Sequence, residues 1–164
     1  MKRTCKPPKS VNYYTLKVSR KLLRKGAPIP VNCAAHLAGY VRDHCLAAGE
    51  DFRENLFLVF IDQHGNVAGH YLLAVGGTDS VTIDVRLACA CTLGAGVTRV
   101  AIAHNHPSGT AMPSASDIRE TDRLKKALNT LGITLVDHVI VAEREFYSFN
   151  DEVRTSSSRI PKLS

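Results

Sequence analysis

The segment His104-Asn105-His106-Pro107-Ser108-Gly109, followed by Pro113-Ser114-Ala115-Ser116-Asp117, holds residue types that bind metal ions. Histidines two apart at a strand end project to the same side of the chain, so their imidazoles stand side by side. Asp117 comes eleven residues after His106, in the first turn of a predicted helix. The intervening Gly and Pro let the chain fold back toward the histidines. Two nitrogens and one oxygen make a three-ligand set with one open position, the form of a catalytic site for one Zn2+ ion. Each part also has a plainer reading. A His-x-His pair can simply be polar loop material, and Ser114-x-x-Asp117 is a helix capping box. The whole string H-x-H-x7-S-x2-D, closing an apolar strand and opening a helix, is more specific than its parts. Nor do the readings compete, because an Asp at a helix start can still offer an oxygen to a metal.

Hydrolysis at such an ion needs a group to take a proton from water. Glu54 stands just before the apolar run Leu56 to Ile61, where a carboxylate can reach the end of a neighbouring strand. Glu50 and Asp51 lie in the preceding turn and should be solvated. On spacing alone, a surface carboxylate beside Arg53 is the simpler reading of Glu54.

The elements that must position these groups follow from periodicity. Asn32 is expected to cap a helix reaching about Ala48, with Leu37, Tyr40, Val41 and Cys45 at helical spacing. Leu56 to Ile61 predicts a buried strand. The turn His64-Gly65-Asn66 returns the chain into a second strand, Val67 to Val75, which makes a hairpin. A helix is predicted over Asp84 to Leu93, a strand over Val97 to His104 and a loop over Pro107 to Pro113. Ala115 to Leu131 carries Ile118, Leu124, Leu128 and Leu131 at helical spacing. Strands over Ile133 to Val141 and Phe146 to Phe149 close the pattern. Alternating helices and strands with an internal hairpin predict an α/β domain whose mixed sheet is covered on both faces.

The chain has 164 residues, 45% hydrophobic and 22% charged, enough for one core. No run approaches the ~18 apolar residues of a membrane helix, and no secretory h-region follows the basic start. The net charge of +6 is unevenly placed. Residues 1–25 hold nine Lys or Arg and no acid, whereas residues 26–164 hold 12 basic and 15 acidic residues. The body is therefore mildly acidic. Any weak DNA contact is expected from a basic arm over 1–27, which also includes a possible edge strand at Tyr13 to Val18. Residues 28–150 form the expected domain, and residues 151–164 are expected to be a disordered tail. Five cysteines without framework spacing read as free thiols in a reducing cytoplasm.

Glu54 before an apolar strand, then His104-x-His106, then Ser114-x-x-Asp117, resembles the JAMM metalloprotease motif of MPN+ domains. HNHPSG, PSxxD, Thr121 in the following helix, Asp137-His138-Val139-Ile140 and Tyr147-Ser148-Phe149 are similar, more closely, to the RadC-like JAB domain. The resemblance covers about residues 30–150. Members of that family carry an N-terminal helix-hairpin-helix region not seen in this sequence. Where they often read Pro-Arg-Glu, this chain reads Val85-Arg86-Leu87. The resemblance implies a three-layer α/β/α, cytidine-deaminase-like (JAB/MPN) fold. It implies His104, His106 and Asp117 as zinc ligands, Glu54 as general acid/base, and Ser114 as a stabiliser of the oxyanion.

The activity so implied is a zinc-dependent peptidase or isopeptidase acting on a protein or peptide. A nucleobase deaminase on the same fold needs H-x-E and P-C-x-x-C, and both are missing here. The alternative is a nucleic-acid-associated or scaffold protein linked to DNA repair or a mobile element, without peptidase activity. His138 is open between a role beside the metal and a core histidine. His36 and His44 are expected on the surface, His64 in a turn, and His70 in a strand with nothing paired to it by spacing. Cys89 and Cys91 are expected to be packing thiols.

Overall fold

The apolar run in Leu56 to Ile61 has no polar alternation, so both of its faces must be covered. A computed structural model, which describes residues 27–46, 52–78, 80–151 and 153–156, shows how this is done. Among the described residues, six strands form one mixed sheet: β1 (Asn55–Ile61), β2 (Val67–Val75), β3 (Arg99–Asn105), β4 (Thr134–Val141), β5 (Glu145–Ser148) and β6 (Val153–Ser156). Their spatial order is β2-β1-β3-β4-β5-β6. Only β3 and β4 pair in parallel, and α3 (Ala115–Thr130) makes the crossover between them.

One sheet face packs against α1 (Ala34–Tyr40): Leu37, Ala38 and Val41 meet Val59, Ala101, Ala103, Val139 and Val141. The other face packs against α2 (Val85–Ala95) and α3, where Ala88, Leu124 and Leu128 meet Leu56, Leu58, Val100, Ile102 and Leu135. This is the expected α/β domain, a mixed sheet with helices on both faces. The α2 start is set by Asp84, whose carboxylate accepts from the amides of Arg86 and Leu87.

Three expectations are corrected. The first helix starts after Cys33 rather than Asn32, and at Val41–Cys45 it widens into a π-helical turn. Asn32 makes no cap; its backbone amide instead meets His36 Nδ1 at 3.4 Å. The tail beyond Asp151 is not wholly irregular, since Val153–Ser156 pairs antiparallel with β5. The free edge of β5 offers backbone partners whatever the side chains are, so a polar segment can add there. Residues 1–26, with the basic arm and the strand expected at Tyr13 to Val18, lie outside the described residues. So do 47–51 and 157–164.

Register then decides what meets at the sheet's end. β1 runs antiparallel to β3 with Leu56 opposite His104. The residues just before β1 therefore lie beside those just after β3, which brings Glu54 to His106.

Candidate metal centre

His104 lies on β3, on the face toward α3, and is 1% exposed. His106 follows the strand, and its amide still bonds to Val141 O at 2.9 Å, which extends the β3–β4 pairing. The chain then turns through Pro107-Ser108-Gly109, closed by the Gly109 amide on His106 O at 3.2 Å. Pro at the second position sets its φ, and Gly at the fourth accepts a φ of 83°, which side chains disfavour. The loop returns to Ser114, which caps α3. Its hydroxyl accepts from the Asp117 amide at 3.1 Å, and Asp117 Oδ2 accepts from the Ser114 amide at 2.7 Å. Asp117 is thus fixed in the first turn of α3, near both imidazoles.

Glu54 is 5% exposed, not a surface carboxylate. Its backbone pairs twice with the strand-ending glycines: Glu54 N to Gly77 O at 2.9 Å, and Gly76 N to Glu54 O at 2.7 Å. Gly76 is required there, because a Cβ would sit 2.1 Å from Ser80 O. Asn105, between the two histidines, was not singled out by its sequence position. Its side chain accepts from Asn55 N at 2.8 Å and donates to Arg53 O at 2.7 Å. It therefore ties both neighbours of Glu54 to β3. A buried Asn inside an apolar strand was the available signal.

The ring nitrogens converge. His104 Nε2 and His106 Nε2 are 2.9 Å apart. Asp117 Oδ1 is 3.5 Å from His104 Nε2, and Oδ2 is 3.8 Å from His106 Nε2. Glu54 Oε1 is 3.9 Å from His106 Nε2. A tetrahedral ion with bonds of about 2.0–2.1 Å spaces its ligand atoms about 3.3 Å apart, within this spread. Glu54, His104 and His106 offer ligand atoms all within 4.8 Å of one another, a group able to hold a metal ion. Asp117 approaches the pair at least as closely as Glu54 does, so two carboxylates flank two imidazoles.

The hydrogen-bond pattern tests whether a cation fits. His106 Nδ1 lies 2.9 Å from Thr110 O, and a carbonyl only accepts, so Nδ1 carries the proton. Nε2 of His106 is then the nitrogen that faces His104 and the carboxylates. Burial pushes the His104 imidazole down to about 4, with Asp117 opposing and His106 adding to the fall. His104 is therefore neutral near pH 7, and its Nδ1 is engaged at 2.9 Å by His138 Nε2. Imidazole nitrogens aimed at each other, with carboxylate oxygens beside them, are a donor set able to hold a metal ion.

Ser114 is close but occupied: its hydroxyl donates to Asp117 Oδ2 at 2.6 Å. The remaining histidines fall elsewhere. His64 is in the hairpin turn, while His44 and His70 gather around Tyr40 on the α1 side.

A mixed sheet between helices, with imidazoles and carboxylates converging at the end of its one parallel pair, defines a JAB-type α/β domain. The chain belongs to the RadC-like JAB domain family, which matches residues 31–154. It is 41% identical over 100 residues to a UPF0758 protein of Thermotoga maritima, covering 61% of this chain and 45% of that one. A UPF0758 protein of Acidithiobacillus ferrooxidans is 32% identical over 127 residues, covering 77% of this chain and 54% of its own length. The chain thus spans about half the length of the curated relatives it matches. Among the described residues, no helix is long and apolar enough to cross a membrane.

Proposed function

We propose that this domain is a zinc-dependent peptidase or isopeptidase with His104, His106 and Asp117 as ligands and Glu54 as the proton-transfer group. The observation that carries this reading is the meeting of two imidazole Nε2 atoms at 2.9 Å with carboxylates on both sides. Zinc held there would supply Lewis acidity toward a carbonyl and an acidified water. Asp117 would offer Oδ1 to the ion while Oδ2 keeps its bond to the helix cap. Glu54 is held by its backbone and by Asn105, so its carboxylate can receive a proton without a large rearrangement. It returns that proton to the leaving amine nitrogen, which departs neutral. For Ser114 to donate to an oxyanion, its hydrogen must swing from Asp117 Oδ2 toward the substrate. The four described cysteines are free thiols. The second reading, a nucleic-acid-associated role in DNA repair or a mobile element, rests on the charge of residues 1–25 and not on this site.

Metal analysis of chain purified without a chelating column, together with peptide and isopeptide hydrolysis, tests the proposal. One zinc per chain is expected. Glu54→Gln should keep the zinc and lose about 10²–10⁴-fold in rate. Wild-type protein that takes up no zinc, or Glu54→Gln at full activity, would overturn it.

A further inference from the structure

Between Val100 and Ile102 the β3–β4 register slips. Val100 faces Leu135, but Ile102 faces His138, so β4 spends three residues where β3 spends two. Such a bulge turns the residues after it to the opposite face. Val136 packs on the α1 side and Leu135 on the α3 side, as alternation requires. Without the bulge His138 would follow Val136 to the α1 side. With it, His138 joins His104 on the α3 side, one diagonal step along the ladder.

There it lies in a chain of hydrogen bonds. Thr121 Oγ1 donates to Asp117 O at 2.5 Å, one turn earlier on α3. A hydroxyl has one proton, so the 2.6 Å contact between Thr121 Oγ1 and His138 Nδ1 places the proton on Nδ1. His138 is 1% exposed and stacked on Phe149, ring centroids 4.5 Å apart and planes 6° from parallel. An enclosed ring of this kind is neutral, so its Nε2 accepts. The partner at 2.9 Å, His104 Nδ1, must then donate.

We propose that His138, aimed by the β4 bulge and oriented by Thr121, is a positioning residue that holds His104 in its Nδ1–H tautomer and so keeps Nε2 free for the metal. The chain begins at the backbone of Asp117 and ends on the ring of His104. It thus sets one ligand's orientation by the helix that carries another. This inference rests on the metal reading above.

The test uses two measurements on full chain. Ring-nitrogen NMR of metal-free wild type should show His104 protonated at Nδ1. Zinc affinity, measured against a competing chelator, should fall about 10–100-fold in His138→Leu. His138→Gln should recover much of that loss, because its amide can still accept from His104 and donate to Thr121. Loss by general damage to the core would not be rescued in this way. Thr121→Val should loosen the tautomer with a smaller affinity loss. An Nε2–H tautomer in the wild type, or His138→Leu binding zinc as well as wild type, would overturn the inference. A wild type with the Nδ1–H tautomer but no zinc affinity would instead remove the metal reading. In that case the His138–His104 bond would stand without its proposed purpose.

Discussion

Two groups of histidines lie on opposite faces of the sheet. On the α3 side, His104 and His106 direct Nε2 atoms at each other, and His138 backs His104. On the α1 side, His70 Nδ1 meets the Tyr40 hydroxyl at 2.7 Å, and the His44 ring lies 5.0 Å from the Tyr40 ring. His44 Nε2 is buried without a hydrogen-bond partner among the described residues. Both groups gather imidazoles, yet they differ in what lies between them. A hydroxyl can satisfy an imidazole nitrogen, and the Tyr40 hydroxyl does so for His70 Nδ1. The His104 group has imidazole nitrogens facing each other with carboxylates beside them, a group able to hold a metal ion. Proximity of histidines is thus a poor guide to a metal site; where the protons must lie is a better one.

Substitution should separate the two groups sharply. His106→Ala is expected to reduce zinc affinity by more than about 100-fold, beyond the usual effect of outer partners. His70→Ala should leave zinc stoichiometry unchanged. Equal zinc loss in both variants would erase the distinction.

Acid should destabilise the α3-side group. His104 is pushed from 6.5 down to about 4, and His138 is pushed well below 6.5, both chiefly by burial. Groups depressed in the folded state favour folding above their unfolded value and lose that contribution as pH falls through the folded one. The melting temperature of metal-free protein should therefore decline from about pH 6.5 toward pH 4. A melting temperature that stays flat over that window would mean that these imidazoles are not held neutral.

The smallest effect is expected at Tyr40→Phe. Removing one hydroxyl from the His70 contact should cost about 0.5–1.5 kcal/mol. The melting temperature should drop by a few degrees and zinc content should not change. A change in zinc content would show that the two faces are coupled through the sheet.

Local spacing was enough to place His104, His106, Ser114 and Asp117 at one strand end and the next helix start. Alternation along a strand and the capping box are properties of neighbouring residues, so the sequence contains them. Most elements were legible for the same reason, as with the six-residue apolar run of β1 and the Leu124–Leu128 stripe of α3. Glu54 was ambiguous, since spacing alone favours a surface carboxylate beside Arg53. Its burial comes from the antiparallel register of β1 on β3 and from the Asn105 tie, which join segments about fifty residues apart. The place of His138 was less legible still. One extra residue in β4 turns it to the face of His104, and a bulge leaves no mark in the pattern of apolar residues. The sequence by itself determined which groups are present and which lie on a common element. Tertiary structure decided which of them share protons, because hydrogen bonds between distant strands depend on register, and register is settled only when the whole sheet pairs.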